Sequence, residues 1–412
     1  MSSISIAGNT SGSVTLSAQD VSGSTTLTLP TTSGTVLTTA SGQALTSPTI
    51  TGTPTVAGQN FGPYTMKNRI INGAMVIDQR NAGAAVTLTS SAPYTVDRWL
   101  GLEDTDGGMT AQQDSSAPAG FNNSLKFTTT SADSSLSAAQ SCRMLQHIEG
   151  YNVADLNWGT ANAKTVTLSF WVRSSLTGTF AGGLRNYIAD RGYPFNYTIS
   201  AANTWEYKTV TVTGDTTGTW NTTNSGGISV IFDLGSGSNY QSTVNTWGSG
   251  NYFSTSGAQS VIGTNGATWY ITGIQLEVGS YATPFEWRPY GMELALCQRY
   301  YEVSPSIITA YAQSSTAGKI IGQFQVTKRA SPSVALYPNA GFEAQVPGQT
   351  FASGNNQTMG TISITTYSYG MSVSNYAFDY TNGTTTSGIT GMTYIFNPQT
   401  VGAPLLTFNS EL

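Results

Sequence analysis

Residues 164–175, KTVTLSFWVRSS, alternate along their length. Val166, Leu168, Phe170 and Val172 fall on one side of an extended chain, and Thr165, Thr167, Ser169, Trp171 and Arg173 on the other. A period of two predicts a strand with one buried face, here with a tryptophan on the polar face. Comparable runs occur at 205–213 (WEYKTVTVT), 227–234 (GISVIFDL) and 269–277 (WYITGIQLE). Turn-rich stretches separate them: SLTGTFAGG, TGDTTGTWNTTNSGG and the long 235–267. Many short strands with no helix between them predict an all-β fold, an antiparallel β-sandwich whose two sheets bury their alternating faces against each other.

The pattern changes within 269–301. After the strand WYITGIQLE, Pro284 and Pro289 bracket PFEWRP, which predicts an extended connection laid over a sheet. From 292 to 301 the residues favour helix, with Met292, Leu296 and Tyr300 on one face at a spacing of four. These breaks divide the chain into a sandwich body at 63–289, a helical connector at 290–303 and a C-terminal β block at 304–412. The block's best runs are 322–327, 333–337, 361–366 and 393–396, and its length suits a second small β-sandwich. Residues 1–62 are different: SGSVTL, SGSTTL and SGTVLT begin at Ser11, Ser22 and Ser33. In this repeat Val14 and Leu16, then Leu27 and Leu29, share a face. So few apolar residues cannot offset a backbone ordering cost of about 1–2 kcal/mol per residue in a single chain. A core shared between copies is therefore expected, with Val14, Leu16, Leu27 and Leu29 in it. The helix face of Met292, Leu296 and Tyr300 is expected to meet its symmetry mates near the axis.

Composition supports a folded β protein. Charged residues make up only 9% of the 412, while 45 glycines and 11% aromatics fill their place. A net charge of −5 without a basic cluster argues against a nucleic-acid partner. The N-terminus lacks the pattern of an export signal, and no apolar run reaches bilayer-spanning length. A soluble chain made in a cytoplasm, with no membrane insertion, is the expectation. Cys142 and Cys297 are then expected as buried thiols. Zinc-ligand spacing and phosphate-cradling loops are absent, so neither metal nor cofactor is expected. The single histidine, His147, has no neighbouring nucleophile and reads as structural. Glu103, Asp104 and Asp106 read as a solvated turn, and Asp97 beside Arg98 as a structural ion pair. No catalytic set emerges, and no enzyme activity is expected. What remains is aromatic: Trp171, Trp220, Trp247 and Tyr252 lie where a flat ring could stack on a sugar, whereas Trp99, Trp269 and Trp287 read as core.

The succession NRIINGAM, VDRW, VTLSFWVRSS, WYITGIQLEVGSYATPFEWRP and ELALCQRYY resembles the central domain of bacteriophage tail-fibre and related virion fibre proteins over about residues 66–303, most specifically at 272–301. The block with VTKRASPSVALY and FNSEL is similar to the tip domain that follows in such fibres. TLTLPTTSGTVLTT at 26–39 resembles their shaft-like leader. The resemblance implies a carbohydrate-binding-like jelly-roll body in a homotrimer. It further implies attachment to other virion proteins through the N-terminus and non-enzymatic contact with a host cell-surface glycan or lipopolysaccharide. The virion is then the expected location. A purely structural head or neck fibre, or a capsid decoration protein, is the alternative, and a polysaccharide-cleaving tail spike is a second.

Overall fold

In the computed structural model, two eleven-residue strands, Gly226–Ser236 and Thr268–Val278, each lie third in a six-stranded antiparallel sheet. The structure describes residues 66–304 without interruption, and in addition 3–7, 13–17, 55–56, 59–60, 308–312, 317–336, 342–345, 357–358, 362–366, 374–382, 393–398 and 406–412. The chain divides into two units, 1–62 and 63–412. In the first, β1 (Ser3–Ala7) pairs with β2 (Ser13–Ser17), and β3 (Thr55–Val56) with β4 (Gln59–Asn60). Val14 and Leu16 lie on β2 in register with Ile6 and Ile4, whereas Leu27 and Leu29 lie outside the described residues.

The second unit opens with the body. Its strands are β5 (Val86–Thr87), β6 (Tyr94–Val96), β7 (Trp99–Glu103), β8 (Gly108–Asp114), β9 (Ser124–Ser131), β10 (Ser141–Glu149), β11 (Val166–Ser174), β12 (Gly178–Asn186), β13 (Gly192–Ile199), β14 (Glu206–Val212), β15 (Gly226–Ser236) and β16 (Thr268–Val278). One sheet runs β13-β12-β15-β10-β7-β6 and the other β14-β11-β16-β9-β8-β5. From β9 onward nearly every connection crosses between the sheets, which makes the body a jelly-roll sandwich. Between the sheets Val166, Leu168, Phe170 and Val172 meet Phe127, Phe180, Phe195, Phe232 and Trp269, all fully buried. Burying side chains of this size contributes roughly 1.5–3 kcal/mol each.

The stretch read as a turn-rich loop, SLTGTFAGG, instead enters β12. Its glycines serve packing: a Cβ on Gly182 would approach Phe195 Cζ to 2.6 Å, and one on Gly183 would approach Phe253 Cα to 2.6 Å. The strand carries these glycines because Phe195 and Phe253 from neighbouring segments occupy the space a side chain would need.

Beyond the body come helix α1 (Tyr290–Gln298) and then β17 (Tyr301–Val303), β18 (Ile308–Ala312), β19 (Ala317–Gln323), β20 (Ser333–Leu336), β21 (Phe342–Gln345), β22 (Gln357–Thr358), β23 (Ile362–Thr366), β24 (Asn375–Asn382), β25 (Thr393–Pro398) and β26 (Leu406–Asn409). They form a three-stranded sheet, β17-β26-β20, and a seven-stranded sheet, β22-β21-β25-β18-β19-β24-β23. The expected run 322–327 only overlaps the end of β19. No helix among the described residues is long and apolar enough to cross a membrane.

The buried face of α1 is Glu293, Cys297 and, one turn on, Tyr300. That face is offset by one residue from Met292, Leu296 and Tyr300, the set chosen by spacing. Met292 is 46% exposed, Leu296 is half-buried, and Tyr300 is fully buried within its own chain. Tyr300 donates to Glu149 Oε2 at 2.7 Å, and burial pushes its hydroxyl up to about 12. Burial would also raise the Glu149 carboxyl, but hydrogen bonds from Arg299 and Tyr300 hold it below its ordinary value. Cys142 and Cys297 are both free and buried, and burial pushes both thiols up.

Asp97 and Arg98 do not pair with each other. Arg98 has a φ of 73°, so the chain turns there and sends the two side chains to different partners. Asp97 lies 3.8 Å from Arg80 and accepts from Gln79, whereas Arg98 pairs with Glu411 near the C-terminus. Glu411 also takes Arg80 at 2.9 Å. One carboxylate is thus shared by two buried guanidinium groups. Removing it leaves both without that partner, so Glu411→Ala should lower stability by about 3–5 kcal/mol. Denaturant unfolding followed by tryptophan fluorescence checks this, and a loss below about 1 kcal/mol would show that the contact is not a clasp.

Candidate functional site

The outward face of the β14–β11–β16 sheet is only partly open to solvent. Residues directly opposite in register form cross-strand rows: Tyr207, Trp171 and Thr272, then Thr209, Ser169 and Gln275. Two segments lie over this face. The strap 280–289 is hooked from below by Gln275 and Glu277. Gln275 accepts from the Glu286 amide at 2.8 Å, and Glu277 accepts from the amide of Thr283 at 2.8 Å and its hydroxyl at 2.6 Å. On the other flank, loop 115–123 is fastened by Ser124 donating to Ser116 O at 2.6 Å and by Arg173 donating to Ser116 Oγ at 2.8 Å. The expected covering role of PFEWRP is thus seen directly.

Between strap and loop runs a groove of about 460 Å³, a volume within the range of ligand-binding clefts. Trp171 and Tyr207 make its floor, with ring centroids 5.3 Å apart, and Tyr207 is 43% exposed. Phe121, Phe285 and Trp287 make its side as a three-ring cluster, with centroid separations of 4.9–5.2 Å. Gly273 gives the floor its depth. It has a φ of 63° beside the register shift between Ser169 and Trp171, and a Cβ there would meet Phe121 Cζ at 2.7 Å and Trp171 Cδ1 at 3.1 Å. No charged side chain lines the groove. Flat rings with adjacent hydroxyl and indole groups suit a ligand that has both C–H faces and hydroxyls.

Of the four aromatic residues singled out in the sequence, the groove contains Trp171 alone. Trp220 and Trp247 gather with Trp158 at centroid separations of 4.7–5.4 Å, all edge to face. All three indole N–H groups are taken by backbone carbonyls: Trp158 by Lys164 at 2.8 Å, Trp220 by Thr217 at 3.1 Å and Trp247 by Thr213 at 2.8 Å. The cluster packs on the sandwich core. Tyr252 is half-buried, and its ring fills the space above Gly248 and Gly250. Trp99 and Trp269 are core, as expected, but Trp287 is not. At 55% exposure it is a wall of the groove. The signal for it was present in PFEWRP, where an extended chain with Glu286 and Arg288 turned inward must turn Phe285 and Trp287 the other way.

His147 is half-buried beneath Tyr187, with Nδ1 2.7 Å from Ser229 Oγ. Burial, aided by Arg185, Arg98 and Arg143, lowers its pKa to about 3. Asp104 and Asp106 are exposed, but Glu103 is buried and accepts from Thr105. Among the described residues no group of three or more metal-ligating side chains converges.

No family model matches the chain, and no curated protein matches it. Solved structures are similar at low identity. The enzymatically active domain of tailspike protein 4 from bacteriophage CBA120 is 13% identical over 52% of this chain and 21% of its own, with a TM-score of 0.27. A family 11 carbohydrate-binding module from Clostridium thermocellum, in complex with a β-1,3-1,4-mixed-linked tetrasaccharide, is 9% identical over 48% of this chain and 98% of its own, with a TM-score of 0.25. TmCBM61, in complex with β-1,4-galactotriose, is 11% identical over 44% of this chain and 88% of its own, also at 0.25. The chain thus spans about a fifth of the tailspike chain and most of each module. Likeness at these TM-scores assigns no ligand and no activity to this chain.

The two aromatic groups should respond differently to truncation. Trp247→Ala removes a ring packed on the core and should cost up to about 3 kcal/mol, while Trp171→Ala should cost under about 1 kcal/mol. Equal losses in denaturant unfolding would contradict this division. His147 offers a second check. A histidine pKa lowered by folding contributes stability that is fully present above pH 6.5 and is lost as pH falls toward 3. As the chain has one histidine, its imidazole NMR signals should be unchanged from pH 8 to pH 5 in the folded protein. A midpoint near 6.5 would refute its burial as a neutral ring.

Proposed function

We propose that this chain is a non-enzymatic glycan-binding fibre protein of a virus particle and that the groove over Trp171 and Tyr207 is where the sugar lies. The observation that carries the reading is the groove itself, an uncharged cleft with aromatic rings on floor and side. A pyranose presents its C–H face to Trp171 or Tyr207 and its rim to the indole and phenol groups, a mode that needs no conformational change in the protein. The lining holds no carboxylate that could act as general acid on a glycosidic bond, which favours binding over cleavage. The jelly-roll fold and the carbohydrate-binding modules among its structural neighbours agree with this reading.

The fibre assignment rests on the motif succession from NRIINGAM to QRYY and on the N-terminal repeats, whose sparse apolar residues call for a shared core. In that arrangement the N-terminus attaches to other virion proteins and three chains present three grooves. Weak single-site binding to a host glycan or lipopolysaccharide is then multiplied by linkage, by roughly 10² to 10⁴ in avidity.

Light scattering of the intact protein should give a mass near three chains, and a monomer would remove the fibre assignment. Intact protein should adhere to host cells, and Trp171→Ala or Tyr207→Ala should weaken adhesion about fivefold per site, since one aromatic contact is worth about 1 kcal/mol. Adhesion that is absent, or indifferent to both changes, leaves a structural fibre as the better reading.

A further inference from the structure

A second, smaller cavity of about 210 Å³ opens on the far side of Phe285 and Trp287, which line both spaces. Its lining differs in kind. Glu286, Arg288 and Glu293 reach it, but they are occupied: Arg288 is 3.2 Å from Glu286 and 3.3 Å from Glu293, and Glu286 also accepts the amides of Lys67 and Asn68. Two carboxylates against one guanidinium leave this lining net negative. The exposed polar groups are the Asn122 amide and the hydroxyl of Tyr290, which is 64% exposed.

We propose that the two cavities are consecutive subsites for one neutral oligosaccharide that straddles Trp287; this rests on the glycan reading above. The larger subsite is aromatic and takes a unit by its C–H face. The smaller takes the next unit by its hydroxyls, through Asn122 and Tyr290. Trp287 touches both units, so a disaccharide is the shortest ligand that fills the two subsites. Acidic sugars are rejected at both positions. In the larger cavity a carboxylate would lose water without gaining a counter-charge, and in the smaller it would face an excess of negative charge.

The intact protein can be tested on a glycan array carrying neutral and acidic oligosaccharides, followed by calorimetry with the best neutral hit at lengths of one to four units. Neutral glycans should dominate the array. Affinity should tighten about tenfold from one unit to two and little thereafter. Trp287→Ala should abolish that gain. The double change Asn122→Ala with Tyr290→Phe should weaken the disaccharide and leave the monosaccharide unaltered, while Trp171→Ala weakens both. All of these side chains except Trp171 are at least half exposed or on a loop rim, so folding is preserved and circular dichroism confirms it. Acidic glycans bound as tightly as neutral ones, or affinity independent of length with Trp171→Ala still weakening it, would overturn the subsites and keep the groove. Array and calorimetry both blank, with Trp171→Ala without effect, would overturn the subsites and the glycan reading together.

Discussion

The guanidinium of Arg288 holds the strap to the body, and the shape of the groove depends on it. It donates to the carbonyls of Asn68 and Ile70 and lies between Glu286 and Glu293, with only 5% of its side chain exposed. A buried charge stripped of partners costs about 3–5 kcal/mol, so the strap cannot lift without a penalty of that order. The segment 68–73 is equally committed. Asn68 bonds the backbone of Ile274 and Leu276 on β16, and Asn72 ties Ile77 to Asp97. NRIINGAM, VDRW and the run of PFEWRP into the helix are distant in sequence but converge on this one set of bonds. Their prominence in the sequence has a structural cause.

This ionic clasp also decides where the aromatic rings go. In an extended chain neighbouring side chains point to opposite sides. Turning Glu286 and Arg288 inward therefore turns Phe285 and Trp287 to the groove side, where they meet Phe121. A large ring left at 55% exposure gains little from burial, so the clasp beneath it, not the hydrophobic effect, fixes where it points. The rings near Trp158 follow a different logic. Each indole N–H there is consumed by a backbone carbonyl, so the fold itself fixes those tryptophans.

The sandwich was legible in the sequence because its strands give one face to apolar side chains and the other to polar ones. The period of two in 166–174 records that division of residue types, although Thr167 and Ser169 on the polar face are themselves buried beneath the covering segments. Where packing is set by neighbours rather than by the strand's own residues, the record fails. Gly182 and Gly183 read as turn residues, although Phe195 and Phe253 fill the space they leave. Glu293 lies on the inner face of the helix, which the spacing of Met292, Leu296 and Tyr300 does not indicate, and only Arg288 and the Asn72 amide reveal it. Arg98 finds its carboxylate 313 residues away, at Glu411, a separation no local pattern encodes. Among the site residues Trp171 was visible as a tryptophan on a polar face. Tyr207 and Trp287 needed, respectively, the register of β14 and the inward turn of the charges beside it.

Charge scarcity links these features. With 37 charged side chains in 412 residues, 16 basic and 21 acidic, the chain uses many of them as internal fasteners: Arg80 and Arg98 with Glu411, Arg299 with Glu149, Lys328 with Glu302, Arg288 with Glu286 and Glu293. Such pairs gain from low local dielectric only when both partners stay in place, so they specify one arrangement of strap, helix and C-terminal strand more than they add net stability. The surface around the groove is left to Ser, Thr, Gly and aromatic residues. A cleft built this way has no long-range field with which to steer a charged ligand. Contact area and ring geometry must therefore do the discriminating, and that demands the fixed side chains the clasp provides.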